Sequence, residues 1–228
     1  MTNNDYVGME FPNEIAAHEC GHVVALAAAG LADEFELATI VPQYENGVFV
    51  LGSTKRSGES LEKLSSELSE HSANLAAGRQ DALKAFRDFV LTTPDVCLPH
   101  ICFFVGGGSI DRLLGREDPN RNAIDANCIR DKVMLTMLPA TALSDEDLAL
   151  VQDKVDEFLF NVFKKEKVLF DKIYTALVKH KTLDCNSLDP LVLKEMQSCA
   201  SRSVEKFKCL LAWVKEWHSG KVNQLPYF

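Results

Sequence analysis

No stretch of this sequence offers about 18 uninterrupted apolar residues, the length at which a helix begins to span a bilayer. The start, MTNNDYVGMEF, lacks the basic and then apolar regions of a signal peptide. The expectation is a chain neither inserted in a membrane nor secreted. Basic residues are in deficit: 24 Lys and Arg stand against 33 Asp and Glu, a formal charge of −9 with no basic cluster. That balance argues against nucleic acid or an anionic lipid surface as a direct partner, and otherwise favours solubility. There is no C-x-x-C pair, and the seven cysteines are odd in number. Free thiols in the cytoplasm, or another reducing soluble compartment, are expected. Cys97 and Cys102 flank His100 without a fourth ligand nearby, so their role is read as structural. No G-x-x-x-x-G-K-[ST] loop occurs, which excludes a P-loop nucleotide site, and there is no internal repeat.

What is present is an ordinary globular composition, 46% apolar and 25% charged over 228 residues. A chain of that size buries a sizeable core without disulfides. One domain is expected, with a core over 1–142 and a helical C-terminal part, 143–228, packed upon it.

The most informative stretch runs from Asn13 to Leu31, with His18-Glu19-Cys20-Gly21-His22 at its centre. On a helix, residues i and i+4 share a face one turn apart, so His18 and His22 can aim imidazole nitrogens at one point, with Glu19 beside them. This H-E-x-x-H arrangement supplies two zinc ligands and a general base. Its context fits: Asn13 is a candidate N-cap, the alanines are strong helix formers, and Gly30 is a natural stop. A mostly apolar helix carrying three such polar side chains must satisfy them, and a metal ion does so.

Downstream, Glu36 to Val41 and Val48 to Thr54 are predicted strands around an Asn46-Gly47 turn, with Pro42 ending or edging the first. Zinc peptidases hold substrate extended beside the metal, and an edge strand can do this through its backbone. Val48 to Thr54 is the candidate, with Val50, Leu51, Gly52 and Ser53 at its centre. A helical pattern runs from Leu61 to Val90. Pro99 is the expected first residue of a helix reaching Leu114, in which Gly106-Gly107-Gly108 either permits close packing on the motif helix or forms a loop. A helix is expected from about Ala123 to Leu138. A long amphipathic helix is expected from Ser144 to about Leu177, closed by Lys179 to Asp184, and a last one from about Ser203 to His218. The predicted class is therefore mainly α (α+β): a zincin-like motif helix, a small β-hairpin or sheet, and a helical C-terminal half.

A catalytic zinc takes three protein ligands. The extended H-E-x-x-H-x-x-G-x-x-H pattern fails, because positions 25 and 28 are Ala. Glu45 is suitably spaced but precedes a turn instead of lying on a helix. Asp111 and Asp125 remain.

AAHECGHVVALAAAGL resembles the motif helix of the M41 peptidases, the protease domain of membrane-anchored AAA proteases of the FtsH type, with Cys20 where Ala is usual. ATIVPQYENGVFVLGSTKRSG is similar to that family's strand, Pro-containing turn and Leu-Gly-x-Thr strand. FFVGGGSIDRLLGRE is similar to its Gly-Gly-Arg-x-x-Glu-Glu helix, with Gly108 at the Arg and Arg112 near a Glu. NAIDANCIRDKV and TALVKHKTLDCNSLDPLV resemble two later segments. The likeness covers about 12 to 193 in order. It implies a zinc peptidase in which Asp125 is the third Zn²⁺ ligand and Glu19 the base, leaving Asp111 to support the ligands from behind. The implied substrate is a peptide or unfolded protein. The family's AAA module is missing, so an AAA partner in trans or a homo-oligomer is envisaged. The alternative is a non-catalytic M41-like metal-binding module for assembly or interaction.

Overall fold

The computed structural model describes residues 13–45, 48–59, 94–116 and 145–218, together with Glu62, Ser66 and Ala77. The motif helix, α1, spans Glu14–Ala28. The Asn13 side chain caps it, accepting from the Ala16 amide at 2.9 Å, which satisfies one of the donors a helix start leaves over. Its end is a Schellman motif: Gly30, at φ +84°, donates to the Ala27 carbonyl and Leu31 to that of Leu26. Both ends therefore lie where the local sequence puts them.

α1 is buried from Ala16 to Ala28 on every side. A helix that is apolar and small all round has no solvent face and belongs inside other helices. Its neighbours are α2 (Pro94–Leu113), α3 (Asp145–Lys165), α4 (Lys167–His180) and α5 (Pro190–His218). The last three come from the C-terminal half, whose Phe158, Phe163, Phe170, Ile173 and Leu177 join Val24 and Leu26 in one core. At about 25 cal/mol per Å² of apolar surface removed from water, these aromatic and branched side chains supply most of what holds α1 in place.

Four strands follow α1: β1 (Phe35–Thr39), β2 (Gln43–Glu45), β3 (Val48–Val50) and β4 (Ser53–Arg56). The expected hairpin forms in two pieces. β2 pairs with β3, with Glu45 opposite Val48, while β1 pairs with β4, with Thr39 opposite Ser53. Three residues separate β1 from β2 and two separate β3 from β4, so the register slips by one where Pro42 interrupts the ladder. The predicted strand Val48 to Thr54 is therefore broken at Leu51-Gly52. A fifth strand, β5 (Thr182–Asp184), pairs antiparallel with β1, giving a three-stranded sheet in the order β4-β1-β5. The protein is mainly helical with this small antiparallel sheet, and the C-terminal half is woven into it.

The helical expectations need four corrections. Pro94, not Pro99, opens α2; Pro99 lies inside the helix, and the bond it cannot donate falls at exposed Asp95. The long helix from Ser144 divides at Glu166, where the backbone, at φ −97° and ψ 24°, leaves the helical region; the buried carboxylate there accepts two bonds from Arg202 of α5. The closing segment Lys179 to Asp184 holds the end of α4 and then a strand: Lys181, in the left-handed region at φ 66°, ends α4 and turns the chain into β5. α5 begins at Pro190, where Asp189 Oδ1 accepts from the Leu191 amide at 2.8 Å. That Asp-Pro start was readable as a cap followed by proline in the first turn. The helical pattern of Leu61 to Val90 and the expected helix from Ala123 lie essentially outside the described residues. Among the described residues no helix is long and apolar enough to cross a membrane.

Candidate metal centre

α1 and α2 run against each other with almost no side chain between them. A methyl group placed on Gly21 would lie 2.5 Å from the Gly106 carbonyl oxygen, and one on Gly106 would lie 2.7 Å from the Gly21 oxygen. The three glycines of α2 are thus helical, and Gly106 lets the two backbones approach to van der Waals distance. The approach sets α2 directly over the face of α1 that carries His18 and His22.

Both imidazoles are buried, at 3% and 6% exposure. The His22 Nδ1 donates to the Phe103 carbonyl at 2.7 Å. A carbonyl only accepts, so this nitrogen carries the proton and Nε2 of the neutral ring carries the lone pair. The His18 Nδ1 meets Asp111 Oδ2 at 2.8 Å, with Asp111 fully buried. Here too the carboxylate fixes the proton on Nδ1. The two Nε2 atoms face each other at 3.2 Å. Two lone pairs at that distance repel unless a cation serves both: a shared proton, or a metal ion. A zinc ion holding two nitrogens at about 2.0–2.1 Å in tetrahedral geometry keeps them about 3.3 Å apart, so the observed separation fits one. The pattern of Nδ1 bound to carboxylate or carbonyl with Nε2 turned inward is also the one that orients metal-ligating histidines.

Gly107 leaves the room. A methyl group on it would sit 2.5 Å from His18 Nε2 and 2.6 Å from His22 Nε2, in the space the two nitrogens share.

Glu19 is likewise buried, at 5% exposure. Thr54, on β4, donates its hydroxyl to Glu19 Oε2 at 2.7 Å. Gly52 passes so close beneath the other oxygen that a methyl there would be 2.8 Å from Oε1. The hairpin thus reaches the site through Gly52 and Thr54.

Two polar clusters lock the scaffold. Ser109 and Arg112, on either side of Asp111 in sequence, both bind Asp156 of α3, which fixes the rotation of α2. Burial raises the Asp156 carboxyl above its ordinary value, with Arg112 pulling the other way. Arg56 donates to Glu34 Oε2 at 2.9 Å and to His100, and lies 5.3 Å from the centre of the Phe103 ring. Burial lowers its guanidinium to about 10, against the opposing pull of Glu34. His100 is accordingly an acceptor for Arg56, and Cys97 and Cys102 are buried free thiols beside it in sequence.

Of the candidate residues, the structure brings together His18, His22, Glu19, Asp111 and Gly52. Glu45 ends β2, Leu51 is half exposed, Val50 ends β3, and Ser53 opens β4, accepting from Gln43 at 3.2 Å. Asp125 lies outside the described residues. Among the described residues no group of three or more His, Cys, Asp or Glu side chains forms a metal cluster. The contact of Thr54 with Glu19 and the role of Gly107 were not anticipated; their signals, the Thr of a Leu-Gly-x-Thr strand and a glycine run on a helix, point to packing until the partner element is known. No protein-family model matches the chain, and no curated protein is significantly similar to it.

Proposed function

We propose that the protein is a zinc-dependent metallopeptidase resembling the M41 family, with a zincin-like core. The observation that carries this reading is the pair of buried imidazoles, each tied at Nδ1, whose Nε2 atoms converge at 3.2 Å beside a buried glutamate. His18 and His22 would hold Zn²⁺ through Nε2, and the resemblance to the M41 family implies Asp125 as the third ligand. Bound there, zinc lowers the pKa of water and polarises a peptide carbonyl. Asp111 and the Phe103 carbonyl keep both imidazoles in the ligating tautomer and stop the rings from turning. Glu19 takes the proton from the attacking water and delivers it to the leaving amine as the C–N bond breaks. The bases of this transfer are intact in the sequence, so the protein is read as an enzyme and not as a metal-stabilised assembly module.

The proposed substrates are short peptides, flexible segments and unfolded chains, with an AAA unfoldase in trans as the partner that would deliver others. The exposed Leu51 next to Gly52 places an apolar side chain at the approach to Glu19. The test joins metal analysis to hydrolysis of a casein-like or fluorogenic peptide. Glu19→Gln is expected to keep the zinc and lose at least about a hundredfold in kcat, the range general base catalysis contributes. Unchanged turnover with zinc retained refutes the mechanism. Wild-type protein that binds zinc yet cleaves nothing across a broad panel points to the assembly module instead.

A further inference from the structure

The hairpin does more than stand beside α1. Its segment Leu51–Thr54 reaches the Glu19 carboxylate at both oxygens. Thr54 donates its hydroxyl to Oε2 at 2.7 Å. The same hydroxyl lies 3.4 Å from the Glu19 carbonyl, so it is anchored over the backbone of the residue whose side chain it binds. On the other side Gly52 leaves no gap: the position of its absent methyl is 2.8 Å from Oε1, 2.7 Å from Ile15 Cγ2 and 3.0 Å from the Thr39 carbonyl oxygen. One oxygen is thus bonded, and the other has the Gly52 backbone close beside it.

This arrangement has a sequence cause. β4 is an edge strand whose ladder to β1 fixes Thr54 opposite Ala38, and Ala38 is fully buried over α1. Residues opposite one another in an antiparallel pair share a face, so Thr54 also points down at the helix. The break at Leu51-Gly52 follows from the slip in register and brings the one residue without a side chain onto Oε1.

We infer that Thr54 is a positioning residue for proton transfer by Glu19, with Gly52 as the floor that confines the carboxylate. The inference rests on the reading of Glu19 as general base. Hydrogen bonds to a charged group are about twice as strong as neutral ones, and a base must sit within hydrogen-bond reach of the proton it takes. Without the hydroxyl, Oε2 loses that bond, and less opposes rotation of the carboxylate about its terminal torsion, a soft one for glutamate. The imidazoles keep their own bonds, to Asp111 and to the Phe103 carbonyl, in which Thr54 takes no part.

The experiment compares wild type, Thr54→Val, Thr54→Ser and Glu19→Gln. Valine keeps the shape and removes the donor; serine keeps the donor. Thr54→Val is expected to lower kcat about tenfold or more with KM and zinc content unchanged, and Thr54→Ser to restore it to within about threefold, the span a single charged hydrogen bond allows. Crystal structures of the metal-free variants give a readout independent of turnover: the carboxylate should keep its bond in the serine variant and adopt a second orientation in the valine variant. If Thr54→Val retains the wild-type kcat while Glu19→Gln is inactive, the positioning role is overturned and the peptidase reading stands. If the carboxylate of Thr54→Val stays in place, the role is overturned whatever the kinetics. If Glu19→Gln is as active as wild type, the peptidase reading falls.

Discussion

Replacing Gly107 by Ala separates stability from metal binding in a way few substitutions can. Gly107 lies within α2, and alanine in a helix interior is favoured over glycine by up to about 1 kcal/mol. Against this, the new methyl would sit 2.5 Å from both His18 Cε1 and Nε2 and 2.6 Å from His22 Nε2. Overpacking of this kind costs about 1–3 kcal/mol when the neighbours can move, and here the neighbours are two side chains hinged on single bonds. The metal-free protein is therefore expected to change by no more than about 2 kcal/mol, a shift in Tm of about 4–8 °C at most for a chain of this size. Zinc binding should suffer far more. A zinc site tolerates only about 0.2 Å in its ligand distances, and merely disturbing the groups behind the ligands costs about 10–100-fold in affinity. Pushing both imidazoles aside is expected to weaken zinc by more than about a hundredfold on that scale. Metal content after dialysis against a buffered zinc concentration, with a thermal melt of the metal-free protein, measures both quantities. The control is Gly21→Ala, whose methyl would meet the Gly106 oxygen at 2.5 Å and Ile110 Cγ2 at 2.5 Å. There the obstruction includes backbone, so the fold loses stability. One zinc per chain at wild-type affinity in Gly107→Ala would refute the placement of the ion between the two Nε2 atoms.

Lys181 occupies the left-handed region at φ 66°, so Lys181→Gly is expected to raise Tm by about 2–4 °C, from up to about 1 kcal/mol of relieved strain; a lowered Tm would contradict the strain argument. Asp184 accepts bonds from the Ser187 hydroxyl and the Ser187 and Asn186 amides, which lower its carboxyl below 3.8. A folded-state pKa below the unfolded one means the stabilisation is present above pH 3.8 and fades as pH falls through the folded value. Asp184→Ala should therefore lower the Tm near neutral pH and converge with wild type as the pH drops well below 3.8, and a constant difference at all pH values would exclude the linkage. Burial raises the thiols of Cys20 and Cys102 and pushes Cys199 up to about 12, so a thiol reagent should modify exposed Cys185 and Cys209 first among the described cysteines, as peptide mapping would reveal.

The ends of α1, its burial and the facing of His18 and His22 follow from local pattern alone: a capping Asn13, small apolar residues on all sides, a spacing of four, and Gly30 in the Schellman position. These are short-range effects, settled within one or two turns of chain. The strand pairing near the Asn46-Gly47 turn was legible for the same reason, since Glu45 opposite Val48 needs only a two-residue connection. The break in the hairpin was only half legible: Pro42 marks where the first strand ends, but the slip of one residue shows only once β1 has paired with β4 as well as β2 with β3. The division of the long helix at Glu166, a joint tied to Arg202 of another helix, left no mark in the apolar periodicity. The site divides along the same line. Residue types and spacing nominated two ligands and a base. Which nitrogen of each histidine faces inward was decided by the Phe103 carbonyl and Asp111, and the space between them by Gly107, all on a helix more than 80 residues away in sequence. A periodicity shows what one helix offers; only the packing of a second helix across it, at the distance two glycines permit, decides how those side chains are aimed.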